Sequence, residues 1–256
     1  MSIVVSNKQK IHYEVAGEKG PWMLLHAPHM IPMSAWRESG YVNELEKDFR
    51  LVIVEPLGQG LSDSPKEPTH YSIDSRIRHI LDILRELQAD YTFFFGIGLG
   101  AQVGFQMCKE FPRRIRSMIS AAAQPYQELE ETKSLNEKTN ILRSGNVKEY
   151  LQKWHSLDHL SKEQEELILK GDPEAYAMGL DASVHWEGLG DDLKSIGMST
   201  LLFTSKVESR FLSVRDAGKR IRYGRYIILP RIFQSHGLWS PDLIIEPLLE
   251  FTHRDK

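Results

Sequence analysis

The chain has one cysteine, Cys108, in 256 residues. A single thiol excludes an internal disulfide and any multi-cysteine metal site, and it suits a reducing compartment. Long apolar runs are missing too: none reaches the roughly 18–20 residues that a membrane span needs. The stretch Met1–Lys8 has no basic segment followed by a long apolar one, so no signal peptide is expected and a cytoplasmic protein is. Neither sign of charge dominates. Lys and Arg number 32 against 35 Asp and Glu, a formal charge of −3, which leaves no electrostatic case for nucleic acid or an anionic membrane as partner. Internal repeats and low-complexity segments are absent. What is present is ordinary globular material, 41% hydrophobic and 26% charged, enough for a large core.

Apolar patterning gives the organisation. Ile3–Val5 and Lys10–Val15 are short β-rich runs around a polar turn, which predicts an antiparallel hairpin. Trp22–His26, Leu51–Glu55, Phe93–Phe95, Ile115–Ala123, Thr200–Ser205 and Tyr226–Pro230 read as further strands. Continuous rather than alternating apolar residues, as in Trp22–His26, suit a strand covered on both faces. Ser34 is placed to cap a helix through Trp36, Val42, Leu45 and Phe49. Tyr71–Asp74 opens another, with Ile77, Ile80, Leu81, Leu84 and Leu87 near a 3.6 period. Leu99–Phe111, Val214–Ile221 and Pro241–Phe251 are the remaining core helices. This alternation predicts a mostly parallel sheet with helices on both faces.

The alternation stops between about Pro125 and Asp192. Glu, Lys, Gln and Leu dominate there, and Pro173 and several glycines divide the stretch into three or four helices. The expected division is an α/β core of 1–124 and 194–256, with an inserted helical cap of 125–193. The charged clusters Glu128/Glu130/Glu131 and Arg215/Lys219/Arg220/Arg222 read as solvated helix faces.

The chain is organised around Phe93–Gly104. An apolar run stops at the glycines Gly96, Gly98 and Gly100, and a helical pattern follows at once. That is the layout of a strand–turn–helix unit of the G-x-S-x-G kind, which lifts a serine nucleophile out of a sheet. Here the apex residue is Gly98, which has no side chain with which to attack a carbonyl.

Other short features fall around it in order. Leu24-Leu25-His26-Ala27-Pro28 ends one strand, and Glu55-Pro56-Leu57-Gly58-Gln59-Gly60-Leu61-Ser62-Asp63 ends the next. Glu208 follows the strand at Thr200–Ser205, and Ser235-His236-Gly237 follows the last strand. With the Gly96–Gly100 turn, these five features resemble the α/β-hydrolase family over nearly the whole chain. They correspond to its "HG" loop with Ala27 for Gly, its D-x-x-G-x-G-x-S stretch with Glu55 for Asp, its nucleophile elbow, its acid and its histidine. The resemblance implies a cap over the carboxyl ends of the strands, with the ligand crevice between cap and core. It implies His236 and Glu208 as the histidine–acid pair and Gly98 as the nucleophile position. It also implies oxyanion donors at Leu99 and at the residue after the "HG" pair. That residue is Pro28, which has no N–H; a shift of one residue makes His29 the donor.

Three functions remain open on these residues. One is a degenerate member without serine chemistry, which binds a small, largely apolar molecule in the pocket, or a protein partner. Another is a lyase, decarboxylase or hydrolase-type enzyme in which His236 is the acid/base without a covalent intermediate. The third is a serine ester hydrolase inactivated by a serine-to-glycine change at position 98. No cofactor is expected. His155 and His159 are four apart but lack an H-E-x-x-H context and a third ligand, so no metal is expected. Trp154, His185, Trp186 and Cys108 read as packing residues, and His26 as structural.

Overall fold

The computed structural model describes residues 2–126, 129–154, 160–206, 208–230 and 241–254. His236 with Ser235 and Gly237, and the pair His155 and His159, lie outside the described residues.

Eight strands form one sheet: β1 (Ser2–Ser6), β2 (Gln9–Ala16), β3 (Trp22–His26), β4 (Arg50–Glu55), β5 (Thr92–Ile97), β6 (Ile115–Ala121), β7 (Ser199–Ser205) and β8 (Gly224–Leu229). Their spatial order is β1-β2-β4-β3-β5-β6-β7-β8. The hairpin β1–β2 and the β2–β4 contact are antiparallel, and every later pairing is parallel.

Helices cover both faces. α1 (Ala35–Glu38), α2 (Tyr41–Leu45) and α10 (Pro241–His253) share one apolar layer, while α3 (Ile73–Glu86), α4 (Leu99–Glu110) and α9 (Phe211–Arg220) share the other. The triple phenylalanine of β5 shows why its run is continuous. Phe93 and Phe95 face α1 and α2, where Phe95 lies 5.3 Å from the Trp36 ring and Phe93 lies 5.5 Å from Phe49. Phe94 faces the opposite layer. A strand buried on both sides has no polar side to alternate with.

The expected single helix from Ser34 to Phe49 is two short helices. Gly40, at φ 93°, breaks it, and Ser34 makes no capping bond. Only glycine adopts that φ without a Cβ penalty, so the chain turns there. Ser72 does cap α3, accepting from the Ser75 N–H at 3.2 Å.

Among the described residues, four α-helices lie between β6 and β7: α5 (Leu129–Arg143), α6 (Val147–Trp154), α7 (Lys162–Lys170) and α8 (Pro173–Val184). They enclose an apolar cluster of their own, which includes Leu142, Tyr150, Leu151, Ile168 and Leu180. Met30, from the loop after β3, inserts into that cluster and ties the loop to the insertion. No described helix is long and apolar enough to cross a membrane.

Candidate functional site

The glycine turn begins where β5 ends. Gly98 has φ 57° and ψ −124°, and α4 starts at the next residue. The Gly98 N–H donates to the Ala121 oxygen of β6 at 3.0 Å. Its carbonyl accepts from Ala101 at 3.0 Å and Gln102 at 3.2 Å, which starts the helix. The Leu99 N–H makes no hydrogen bond among the described residues. A free donor at the first turn of a twelve-residue helix carries partial positive charge.

The three glycines are there for different reasons. A Cβ at Gly96 would lie 2.6 Å from the backbone of Ala101, and one at Gly100 would lie 2.3 Å from the His26 oxygen. Those positions exclude a side chain by close approach. A Cβ at Gly98 would meet, among the described residues, only Pro28, at 3.6 and 3.8 Å. That is ordinary contact, so there is room at the apex for a side chain, and the left-handed backbone alone favours glycine.

Pro28 therefore stands beside the apex, as the sequence spacing places it, and brings no N–H. His29 is buried, with its ring edge-on to Tyr176 at 6.2 Å and against Gly179 of α8. His26 lies beneath the loop, stacked on Phe94 at 6.5 Å, with Nδ1 3.1 Å from the Ala27 oxygen. Burial, with Arg76 nearby, pushes its pKa down to about 3 from the usual 6.5, so the ring is neutral.

Above the apex is a cavity of about 100 Å³. The core contributes Pro28, His29, Gly98, Leu99, Gln102 and Ala122, and the insertion contributes Leu135, Lys138, Tyr150, Leu180 and Ser183. The Ser183 hydroxyl donates to Gln102 Oε1 at 2.6 Å across the boundary. Arg210 also lines the cavity and donates to the Ala122 oxygen at 3.3 Å. Two cationic side chains thus line it, and no carboxylate does among the described residues. Ala122, at φ 52°, and Met30, at φ 67°, are non-glycine residues in the left-handed region on the loops around it. Such strain costs on the order of 1–3 kcal/mol per residue and gathers where a site holds its backbone in a fixed shape.

Glu208 follows β7 by three residues. Its carboxylate accepts from the Ser205 N–H and the Thr204 hydroxyl, each at 3.3 Å. Burial raises its pKa above the ordinary carboxylate value. The geometry of a pair with His236 falls outside the described residues.

The structure also explains the substituted Glu55. Its Oε2 lies 2.8 Å from His12 Nδ1 and accepts the Leu61 N–H at 2.7 Å, both contacts buried or nearly so. The longer carboxylate fills the space beside Gly60, where a Cβ would fall 1.9 Å from it. Cys108 is buried, and burial raises its thiol pKa far out of reach of neutral pH. Trp186 packs in the core with Nε1 donating to Gln106 at 2.9 Å, and His185 bonds its own helix. Among the described residues no group of three His, Cys, Asp or Glu is arranged to hold a metal.

Residues Lys138, Tyr150, Leu180, Ser183 and Arg210 were not singled out in the sequence. Gln102, a polar residue on the apolar side of α4, was the one local signal. Lys138, Tyr150, Leu180 and Ser183 reach the site only through the packing of the insertion, and Arg210 through the loop between β7 and α9.

Comparison with known proteins agrees with this architecture. A candidate 2-succinyl-6-hydroxy-2,4-cyclohexadiene-1-carboxylate synthase of Bacillus subtilis is 20% identical over 235 residues, 82% of this chain and 84% of that protein. Mouse epoxide hydrolase 4 is 31% identical over 113 residues, 43% of this chain and only 30% of the mouse protein. The enol-lactonase of Burkholderia xenovorans LB400 superposes with a TM-score of 0.83 at 20% identity, covering 98% of this chain and 100% of the lactonase. The family model for the alpha/beta hydrolase fold matches residues 25–165, more than half of the chain and including the Gly98 turn, so the chain belongs to the alpha/beta hydrolase fold family.

Proposed function

We propose that this protein binds a small ligand at the Gly98 turn, between core and cap, and performs no serine-dependent hydrolysis. One observation carries the reading: the apex keeps its left-handed turn and its cavity but holds glycine. Without an Oγ there is no acyl-enzyme. Pro28 withholds a second oxyanion donor, a loss of roughly 3–4 kcal/mol in transition-state stabilisation where such a donor matters.

The lining supports a ligand with a largely apolar body and one acidic group. Leu135, Leu180, Leu99 and Pro28 offer the apolar wall, while Lys138, Arg210 and the Leu99 N–H bring cationic and donor groups to it, with Arg210 within electrostatic reach of the Glu208 carboxylate. In a low-dielectric pocket such groups favour an anion over its neutral isostere.

The test is Gly98→Ser with a panel of esters, thioesters and lactones, beside calorimetric titration of the unmodified protein with small carboxylic acids. Binding that Lys138→Ala weakens, with no hydrolysis in either form, is expected. Hydrolysis of a nitrophenyl ester by the unmodified protein, lost in His236→Ala, would overturn the reading. Strong gain of activity in Gly98→Ser marks the chain as an inactivated hydrolase. A second reading, with His236 as acid/base, draws on the half-buried Glu208 after β7. It predicts turnover without a trappable acyl intermediate.

A further inference from the structure

Among the described residues β8 is the last strand of the sheet, paired only to β7. The helices beside it lie on opposite faces, α9 in one apolar layer and α10 in the other. Between them, at the edge, is a notch of about 630 Å³ distinct from the cavity at Gly98. Arg225 and Tyr226 of β8 form its floor, Lys219 and Arg222 line the α9 side, and Glu250 and Arg254 line the α10 side. The four cations and Glu250 are exposed, and none forms an ion pair among the described residues. Arg220, one residue from Lys219, is by contrast tied to Asp191 at 3.1 Å and Asp216 at 3.5 Å. On a chain of net charge −3, these four cations lie together at one edge of the sheet. Ile228 of β8 is 39% exposed, a second apolar contact along the strand.

We propose that an acidic, extended segment of a protein partner adds to β8 as a ninth strand. The unpaired edge supplies main-chain donors and acceptors, which only another strand matches in register. The basic rim selects carboxylates on that strand and repels a basic one. Six residues of β8 accommodate a segment of about 20 Å. A nucleic acid has no use for the main-chain floor, and an unpaired phosphate ligand would not need its length.

The probe is a fluorescein-labelled octapeptide of alternating Glu and Val, with a Lys–Val octapeptide as control, read by fluorescence anisotropy on the full chain. The Glu peptide is expected to bind, and the Lys peptide not. Affinity should fall by about tenfold or more in the Arg225→Glu/Arg254→Glu double variant, and also when salt is raised until the Debye length shortens to about 5 Å. Amides of β8 should gain hydrogen-exchange protection when the peptide is bound. Both substitutions are at exposed positions, and thermal unfolding checks that the variant is folded. Equal binding of both peptides, indifference to charge reversal, or tighter binding of a single-stranded oligothymidylate overturns the proposal. So does an absence of peptide binding with self-association of Arg225→Ser/Arg254→Ser, which would mean that the charges only guard the edge.

Discussion

Nη2 of Arg76 donates to the main-chain oxygen of Gly179 at 3.3 Å, so a buried guanidinium joins core helix α3 to insertion helix α8. Nε donates to the Tyr71 oxygen at 3.2 Å, and Nη1 has no hydrogen-bond partner among the described residues. Burial pulls the pKa down to about 10 from 12.5, which still leaves the group charged at neutral pH. Where the insertion meets the core, the contact is thus made to a carbonyl and, among the described residues, is short of its full hydrogen-bond complement.

Gly179→Ala tests that junction. The added Cβ would lie 2.8 Å from His29 Cε1 and 3.0 Å from Arg76 Nη2. Overpacking of this kind costs about 1–3 kcal/mol. Urea unfolding should show that loss, and hydrogen exchange should show it concentrated in α8. An unchanged midpoint would mean that the cap is not pressed onto His29.

His26 and His79 predict an acid sensitivity with a defined sign. Burial and Arg76 hold them at about 3 and about 4, below the usual 6.5. The unfolded chain then binds protons that the folded chain refuses, so stability is full above about pH 6.5 and falls as pH drops toward 3–4. The total is on the order of a few kcal/mol. His26→Gln should flatten the stability–pH curve between pH 6 and 4, within about the range where neutral and charged imidazole exchange. A slope identical to the parent's would rule His26 out as a source.

The glycines of the turn should separate in a substitution series. Gly98→Ala has room and costs about 1–3 kcal/mol through its backbone angle. Gly100→Ala collides with the His26 oxygen and should cost more, to the point of failed folding. Thermal denaturation ranks them; a Gly98→Ala variant less stable than Gly100→Ala would contradict the geometry.

Glu55→Ala removes the partner of a buried His12 and of the Leu61 N–H together. Leaving a buried hydrogen-bonding group without its partner costs about 1–3 kcal/mol. Glu55→Asp shortens the reach while keeping the charge and should recover only part of that. Equal stability of Glu55→Asp and the parent would show that the longer side chain is not required.

Much of the fold was legible in the residues. Trp22–His26 and the phenylalanines of β5 marked buried strands because continuous apolar runs have few other solutions. The stretch Tyr71–Asp74 marked a helix start, and there the Ser72 hydroxyl accepts the N–H of Ser75. The helix expected from Ser34 failed at Gly40, where a strong apolar period carried through a residue that takes a left-handed turn. Gly98 and Pro28, singled out in the sequence, lie side by side at the end of β5. Arg76 sits among the apolar positions of α3, and its role was not legible, because its partner is 103 residues away.

The sequence by itself determined the sheet's strands, the turn at its centre and the glycine at position 98. These depend on backbone angles, side-chain periodicity and the atoms that glycine and proline lack, all local properties. Only the tertiary structure decided what surrounds Gly98: a small cavity with Lys138 and Arg210 on its wall, closed by α8 through Arg76. Burial and charge pairing are set by residues far apart in the chain, and no local pattern records which of them meet.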